Sequence, residues 1–277
     1  MRTISFAKGH GTLNDFVIVV DRHDTTPLSE QDVRSLCDRR AGIGGDGILR
    51  AVKASHIPEW DGDPALWFMD YRNADGSIAE MCGNGTRVFG RLLAERGLID
   101  GREVDIATRA GVRRLTFHSD GAISTAMGQV RIADEPVTVS LGGRSWPAVK
   151  VDVGNPHAVV LLGPEDDVNS LDLSVSPTWS PLDAFPHGAN VEFVQRLDDR
   201  HLAMRVFERG SGETMSCGTG VVATAVSHAR ASGTGDGEYR VDVAGGVLGV
   251  TIDGDRATLR GPAVIVARGE VNLPERG

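Results

Sequence analysis

Two cysteines of the 277-residue chain sit in the same local pattern. Met81-Cys82-Gly83-Asn84-Gly85 and Ser216-Cys217-Gly218-Thr219-Gly220 both read Cys-Gly-x-Gly, and both open a helical pattern. The first helix is expected to run through Val88, Phe89, Leu92 and Leu93 to a stop at Gly97. The second carries Val221, Val222, Ala223, Ala225 and Val226, a run apolar on every side, which predicts a helix buried all round. A cysteine at such an entrance meets unpaired backbone N–H groups and the positive end of the helix dipole. That setting lowers a thiol pKa from ~8.5 into the range ~3.5–7.5. Most lone cysteines are buried structural residues. Here the repeat argues otherwise: Asn73 lies nine residues before Cys82, and Glu208 nine before Cys217. The period is far too long for a solenoid. It reads as an internal duplication with two thiols facing one shared cleft.

Two such thiols can invert a carbon acid. One, as thiolate, removes a proton from one face; the other, as thiol, delivers a proton to the opposite face. Acid and base must straddle the reacting atom in opposite protonation states. The helix N-termini beneath them would stabilise a thiolate and bind a substrate carboxylate whose charge grows as the carbanion forms.

The elements that must position these groups are short. Ile4–Lys8, Asp15–Val20, Ile48–Val52 and Leu66–Tyr71 read as strands, and Ser29 reads as the N-cap of a helix through Val33, Leu36 and Cys37. Cys37 falls inside that pattern without glycines around it and is assigned to the core. Many short β segments follow the first cysteine helix, among them Val104–Ala107, Val112–His118, Ala122–Met127, Val137–Ser140 and Ala148–Val153. Gly163–Pro186 is rich in proline and aspartate and reads as loops with a single helical turn. Val191–Val194 and Leu202–Phe207 precede the second cysteine, and four strands close the chain. The expected fold is α+β: two pseudo-symmetric halves, each a curved, mainly antiparallel sheet or barrel around one central helix. The halves divide at 118/119, giving 1–118 and 119–262, with a C-terminal strand within 263–277 available to complete the first.

Formal net charge is -9, and no Lys/Arg cluster occurs, so nucleic acid and anionic membrane are unsuitable partners. No apolar run reaches transmembrane length, and the N-terminal residues lack a signal peptide's apolar core. Three cysteines make no disulfide framework and suit a reducing cytoplasm. No Cys-x-x-Cys or His-x-x-x-His pair supports a metal site. Gly42–Gly47 lacks the Gly-Lys-(Ser/Thr) ending of a phosphate loop.

Taken in order, Phe6-Ala7-Lys8-Gly9-His10-Gly11 with Asn14-Asp15-Phe16, the Arg39–Asp46 loop, Asn73-Ala74-Asp75-Gly76-Ser77, Met81–Arg87, Gly154-Asn155-Pro156-His157, Asn190 and Glu208–Gly220 resemble the diaminopimelate epimerase family. The likeness spans residues 6 to 220. Its pairing of Cys-Gly-Asn-Gly with Glu-Arg-Gly-x-Gly-Glu-Thr-x-x-Cys-Gly-Thr-Gly is specific. The resemblance implies a cofactor-independent, metal-free epimerase turning LL-diaminopimelate into the meso form for lysine and peptidoglycan precursors. It implies Cys82 as proton donor and Cys217 as acceptor in one direction, with the roles exchanged in reverse. Gly83, Asn84, Gly218 and Thr219 would hold the reacting end. Asn14, Asn73, Asn155, Asn190 and Arg209 would recognise the distal amino-acid end, with Glu208 near an ammonium. His157 and Glu208 would modulate the thiol pKa values. Family likeness also implies a cytoplasmic homodimer. Some family members carry Gln where this chain has Gly47, so that contact would be absent or replaced.

Competing readings remain at this level. Proline racemase and hydroxyproline epimerase use the same two-cysteine logic, but the Asn after Cys82-Gly83 and the several asparagines suit a second amino-acid end. An isomerase of the phenazine-biosynthesis type lacks paired cysteines. Cys217 with His157 as a hydrolytic pair leaves Cys82 unexplained. From another class, a non-catalytic amino-acid-binding or thiol redox protein stays open. Asn155-Pro156-His157 also reads as an ordinary turn, and Arg39-Arg40 as a solvated helix end.

Overall fold

A computed structural model describes residues 2–273. The described chain forms two compact units. The first comprises residues up to Thr125 together with those from Pro262 onward; the second is Ala126–Gly261.

In the first unit the strands are β1 (Arg2–Gly11), β2 (Asn14–Val20), β3 (Gly47–Lys53), β4 (Trp67–Asn73), β5 (Glu103–Thr108), β6 (Gly111–Phe117), the start of β7 (Ile123–Gln129), and β19 (Val264–Leu273) from the far end of the chain. The helices are α1 (Glu30–Cys37) and α2 (Gly83–Glu95). Strand order is β19-β1-β2-β3-β4-β5-β6-β7, parallel only at β2–β3 and β4–β5. The parallel joins fall where a helix intervenes, because parallel neighbours need a crossover that a hairpin cannot supply. The turn His118–Gly121, expected to separate the halves, is the bend between β6 and β7. Leu115 pairs with Thr125 across it, so the division comes only after Thr125. Residues 274–277 of the anticipated C-terminal strand lie outside the described residues.

The second unit holds β8 (Arg131–Ile132), β9 (Val137–Leu141), β10 (Arg144–Asp152), β11 (Pro156–Leu161), β12 (Thr178–Ser180), β13 (Asn190–Asp198), β14 (His201–Glu208), β15 (Gly212–Thr214), α3 (Gly218–Ser232), β16 (Gly237–Val243), β17 (Gly246–Asp253) and β18 (Arg256–Gly261). Its main order is β9-β10-β11-β13-β14-β16-β17-β18, parallel only at β11–β13 and β14–β16. Strand for strand, this repeats the first unit's pattern of directions. The halves differ in β8, β12 and β15. Gly163–Pro186 is more ordered than a plain loop: it carries two 3-10 turns and β12, which pairs with β9.

Each sheet wraps its central helix. α2 packs against β1, β2, β3, β6 and β19, and α3 against strands from β10 to β18. Val88, Phe89, Leu92 and Leu93 of α2 are buried with Phe16, Leu49 and Leu115 in one core. α1 lies outside that core; a Ser29–Asp32 capping box starts it, and its buried face is Val33, Leu36 and Cys37. Burial raises the Cys37 thiol to about 11, which marks it as inert core. No helix among the described residues is long and apolar enough to cross a membrane.

Close approach of helix to sheet depends on Gly9, at the β1–β19 irregularity. A Cβ there would stand 2.7 Å from the Val264 carbonyl oxygen and 2.8 Å from Val88 of α2. Gly9→Ala should therefore destabilise the first unit by about 1–3 kcal/mol, the usual cost of overpacking, read as a lower urea midpoint. An unchanged midpoint would show that helix and strand have room to part.

Candidate active site

Both sequence-predicted cysteines are helix N-caps. Cys82 caps α2, and its Sγ accepts a hydrogen bond from the Gly85 amide at 3.3 Å, as a serine oxygen would at that position. Its thiol also faces Asn14 Oδ1 at 3.6 Å. Asn84 Nδ2 donates to the same Asn14 oxygen at 3.2 Å, and Asn84 Oδ1 accepts from Arg87 Nη2 at 2.7 Å. Asn14 Nδ2 donates in turn to Asp46 Oδ2 at 2.8 Å. Asn14, Cys82, Gly83 and Asn84 are thus gathered at one helix entrance. Asn73, at the end of β4, pairs across the sheet with Gly47, and its side-chain amide donates to Ser77 Oγ at 3.0 Å. Because the Asn84 side chain bonds Arg87 and Asn14, its contribution to a ligand falls to its backbone.

Residues behind this cluster take parts that the sequence alone did not assign them. Arg87 is fully buried, and its guanidinium bonds the Gly83 and Pro262 carbonyls as well as Asn84. Arg39 is exposed just beyond the end of α1, as the sequence suggests, but it also pairs: Nη2 reaches Asp15 at 2.6 Å and Asp46 at 2.8 Å, fixing the carboxylate that holds Asn14. Asp15 also pairs with Lys8. Gly47 leaves no space for a side chain in this backbone, since a Cβ would sit 2.5 Å from the Arg72 carbonyl oxygen.

In the second unit, Cys217 caps α3, and its Sγ lies 3.4 Å from Thr219 Oγ1. Glu208 ends β14 as Asn73 ends β4, and its carboxylate accepts from the Thr214 hydroxyl. His157 and Glu192 are completely buried, with Nδ1 and Oε1 2.7 Å apart; His157 Nε2 meets Asn155 Oδ1 at 3.0 Å. Asn190 Oδ1 accepts from the Arg209 amide at 2.9 Å and so braces the turn that carries that arginine. Asn155 and Arg209 line a cavity of about 390 Å³, with Lys150, Phe185 and His187 among its other walls. Gly218 and Thr219 form the first turn of α3. Glu192 is the participant that sequence reasoning missed; its only signal was a carboxylate within an apolar strand, Asn190-Val191-Glu192-Phe193-Val194.

The sequence expectation of a lowered thiol pKa fails at Cys217. Burial first, then the nearby Glu208 and Glu192, push this thiol well above its ordinary value, while the Thr219 hydroxyl works the other way. The magnitudes explain the outcome. A helix N-terminus contributes at most ~2 kcal/mol to an anion, whereas complete desolvation of a charge costs several kcal/mol. Among the described residues no cluster of three or more His, Cys, Asp or Glu forms a metal cradle.

The family model for diaminopimelate epimerase matches residues 6–133 and 149–274. The diaminopimelate epimerase of Streptomyces coelicolor is 49% identical, covering 96% of this chain and 95% of its own. That of Corynebacterium glutamicum is 46% identical, covering 98% and 99%. Among solved structures, a phenazine biosynthesis protein of the PhzF family from Bacillus anthracis superposes with a TM-score of 0.71 at 19% identity, covering 99% of this chain and 100% of that one. A hydroxyproline epimerase from Agrobacterium vitis does so at 0.68 and 13%, covering 98% and 91%. At such identities the structural likeness speaks for the fold alone.

Asp15 supplies a pH test of the Asn14 scaffold. Burial works against its ionisation, but hydrogen bonds and charge from Arg39 and Lys8 outweigh that and hold its carboxyl well below the usual range. A depressed folded-state value stabilises above the unfolded value and is lost as pH falls through the folded one. Asp15→Asn should be clearly less stable than wild type at neutral pH, the gap closing as pH drops below about 4. A pH-independent gap in urea midpoint would contradict the assignment.

Proposed function

Since the chain belongs to the diaminopimelate epimerase family, we propose that it interconverts LL- and meso-diaminopimelate without a cofactor, by proton transfer between Cys82, Cys217 and the substrate's α carbon. The observation that carries the reading is kinship to proteins of that name over at least 95% of both chains. The paired Cys-capped helices supply the chemistry. One sulfur, as thiolate, takes the α proton; the C–H electron pair remains on carbon as a carbanion; the other sulfur returns its S–H proton to the opposite face. Proton count and charge balance, and the two sulfurs exchange protonation states in each turnover.

First-turn amides at Gly83-Asn84 and Gly218-Thr219 would receive the reacting-end carboxylate, where helix N-termini favour negative charge. Asn14, Asn73, Asn155, Asn190 and Arg209 would select the distal amino-acid end, and Glu208 its ammonium. His157 and Glu208 would tune the thiols. A Cys82 donor and Cys217 acceptor describe one direction; the raised Cys217 thiol suits a resting enzyme primed for the other. The protein would act in the cytoplasm as a homodimer, feeding lysine and peptidoglycan precursor synthesis.

Proton NMR in deuterated water with LL-diaminopimelate and no pyridoxal phosphate tests this. Wild type should lose the α-proton signal and form the meso isomer, while Cys82→Ala and Cys217→Ala should fall by at least ~100-fold, the usual contribution of one general acid or base. Exchange with proline instead would reassign the substrate to the racemase branch. Exchange with neither would leave an amino-acid-binding or thiol redox protein.

A further inference from the structure

The repeat of strand directions makes β13 the counterpart of β3, so Glu192 corresponds to Leu49: each is the third residue of its strand. Both lie against the same point of their unit's central helix. Gly85 and Gly220 each follow their cysteine by three residues; a Cβ on Gly85 would meet Leu49 Cδ2 at 3.2 Å, and one on Gly220 would meet Glu192 Oε1 at 2.5 Å. Leucine satisfies this contact in the first unit, so packing alone does not call for a carboxylate in the second.

The carboxylate is also incompletely satisfied. Oε1 lies 2.7 Å from His157 Nδ1, a spacing at which the ring N–H can donate to a carboxylate. Oε2 is buried without a hydrogen-bond partner among the described residues. Native proteins rarely retain such an atom, and when they do it calls for a reason. The surrounding geometry supplies one. Oε1 lies against the first turn of α3, where the positive helix end favours an anion, and Cys217 is the N-cap of that same turn. Carboxylate and sulfur compete for one stabilising terminus. The titratable groups facing the sulfur are Glu208 from β14, Glu192 from β13 and, through Glu192, His157 from β11.

We infer that Glu192 is a positioning residue for Cys217: its carboxylate orients His157 and takes the anion-favouring first turn of α3, so that Cys217 rests as the thiol and serves as proton donor to the resting enzyme's first substrate. This rests on the reading of Cys217 as one of the two acid/base groups. The duplicated halves would then owe their unequal protonation to one position, apolar under Cys82 and acidic under Cys217.

The test is a spectroscopic titration that needs no substrate. In a Cys37→Ser, Cys82→Ser background, the ultraviolet thiolate absorbance of Cys217 is followed from neutral to alkaline pH, alone and with Glu192→Gln or Glu192→Leu. Both substitutions should move the rise to lower pH, giving about tenfold more thiolate at a given pH below the midpoint. With the cysteines restored, kcat in the epimerase assay should fall while KM changes little. Identical titrations in the parent and both variants would overturn the inference. If the Gln variant does not fold, the Leu variant decides alone, and failure of both to fold would overturn it by making Glu192 a residue of the core. Because the absorbance is independent of turnover, absence of diaminopimelate epimerisation would refute the functional proposal without altering this result.

Discussion

Each unit depends on a helix buried inside a curved sheet with its N-terminus capped by a cysteine. A helix leaves its first amides without intrahelical partners, and burying such an end without replacements is costly. α2 resolves this partly through its own cap, with the Gly85 amide on Cys82 Sγ. The glycines that follow each cysteine have a steric reason as well as a chemical one. Gly85 and Gly220 let the helix settle against β3 and β13, so the requirement that creates a dense core also brings backbone amides beside sulfur.

Opposite electrostatics are built on this shared plan. α2 itself carries Arg87, a fully buried guanidinium satisfied by carbonyl and amide oxygens rather than by a carboxylate. Against α3 lie Glu192 and the end of β14 with Glu208. A guanidinium keeps its proton in proteins, so the first unit presents a fixed positive charge near its cysteine, while the second presents carboxylates. Two-base chemistry needs thiols in opposite protonation states. The repeat provides two equivalent sulfurs, and the residues around them make the sulfurs inequivalent.

Scaffold and site are continuous in both units. In the first, Arg39 fixes Asp46, Asp46 fixes Asn14, and Asn14 meets the Cys82 thiol. In the second, Asn190 braces the Arg209 turn, and Asn155, His157 and Glu192 form a buried polar line. Hydrogen-bonded lines of this kind hold side chains in one arrangement where their members are satisfied, as the Asn14 amide is and Glu192 Oε2 is not. The asparagines proposed to meet the substrate are accordingly placed by second residues that never need to touch a ligand.

Much of this was legible in the sequence because the information is local. Cys-Gly-x-Gly ahead of an apolar run marks a helix entrance, Ser29 three residues before Asp32 marks a cap, and alternating apolar residues mark strands. The nine-residue spacing of Asn73 and Glu208 from their cysteines reflects two strand ends at equivalent places. Tertiary structure decided what pairs at long range. It placed β19 beside β1, moved the division of the halves into β7, after Thr125, and joined Asp46 to Asn14 and Glu192 to His157. It also reversed the expectation for Cys217. A helix dipole can be read from a local motif, whereas desolvation and neighbouring charge depend on which distant strands close over the sulfur. At Cys217 those distant groups outweigh the dipole.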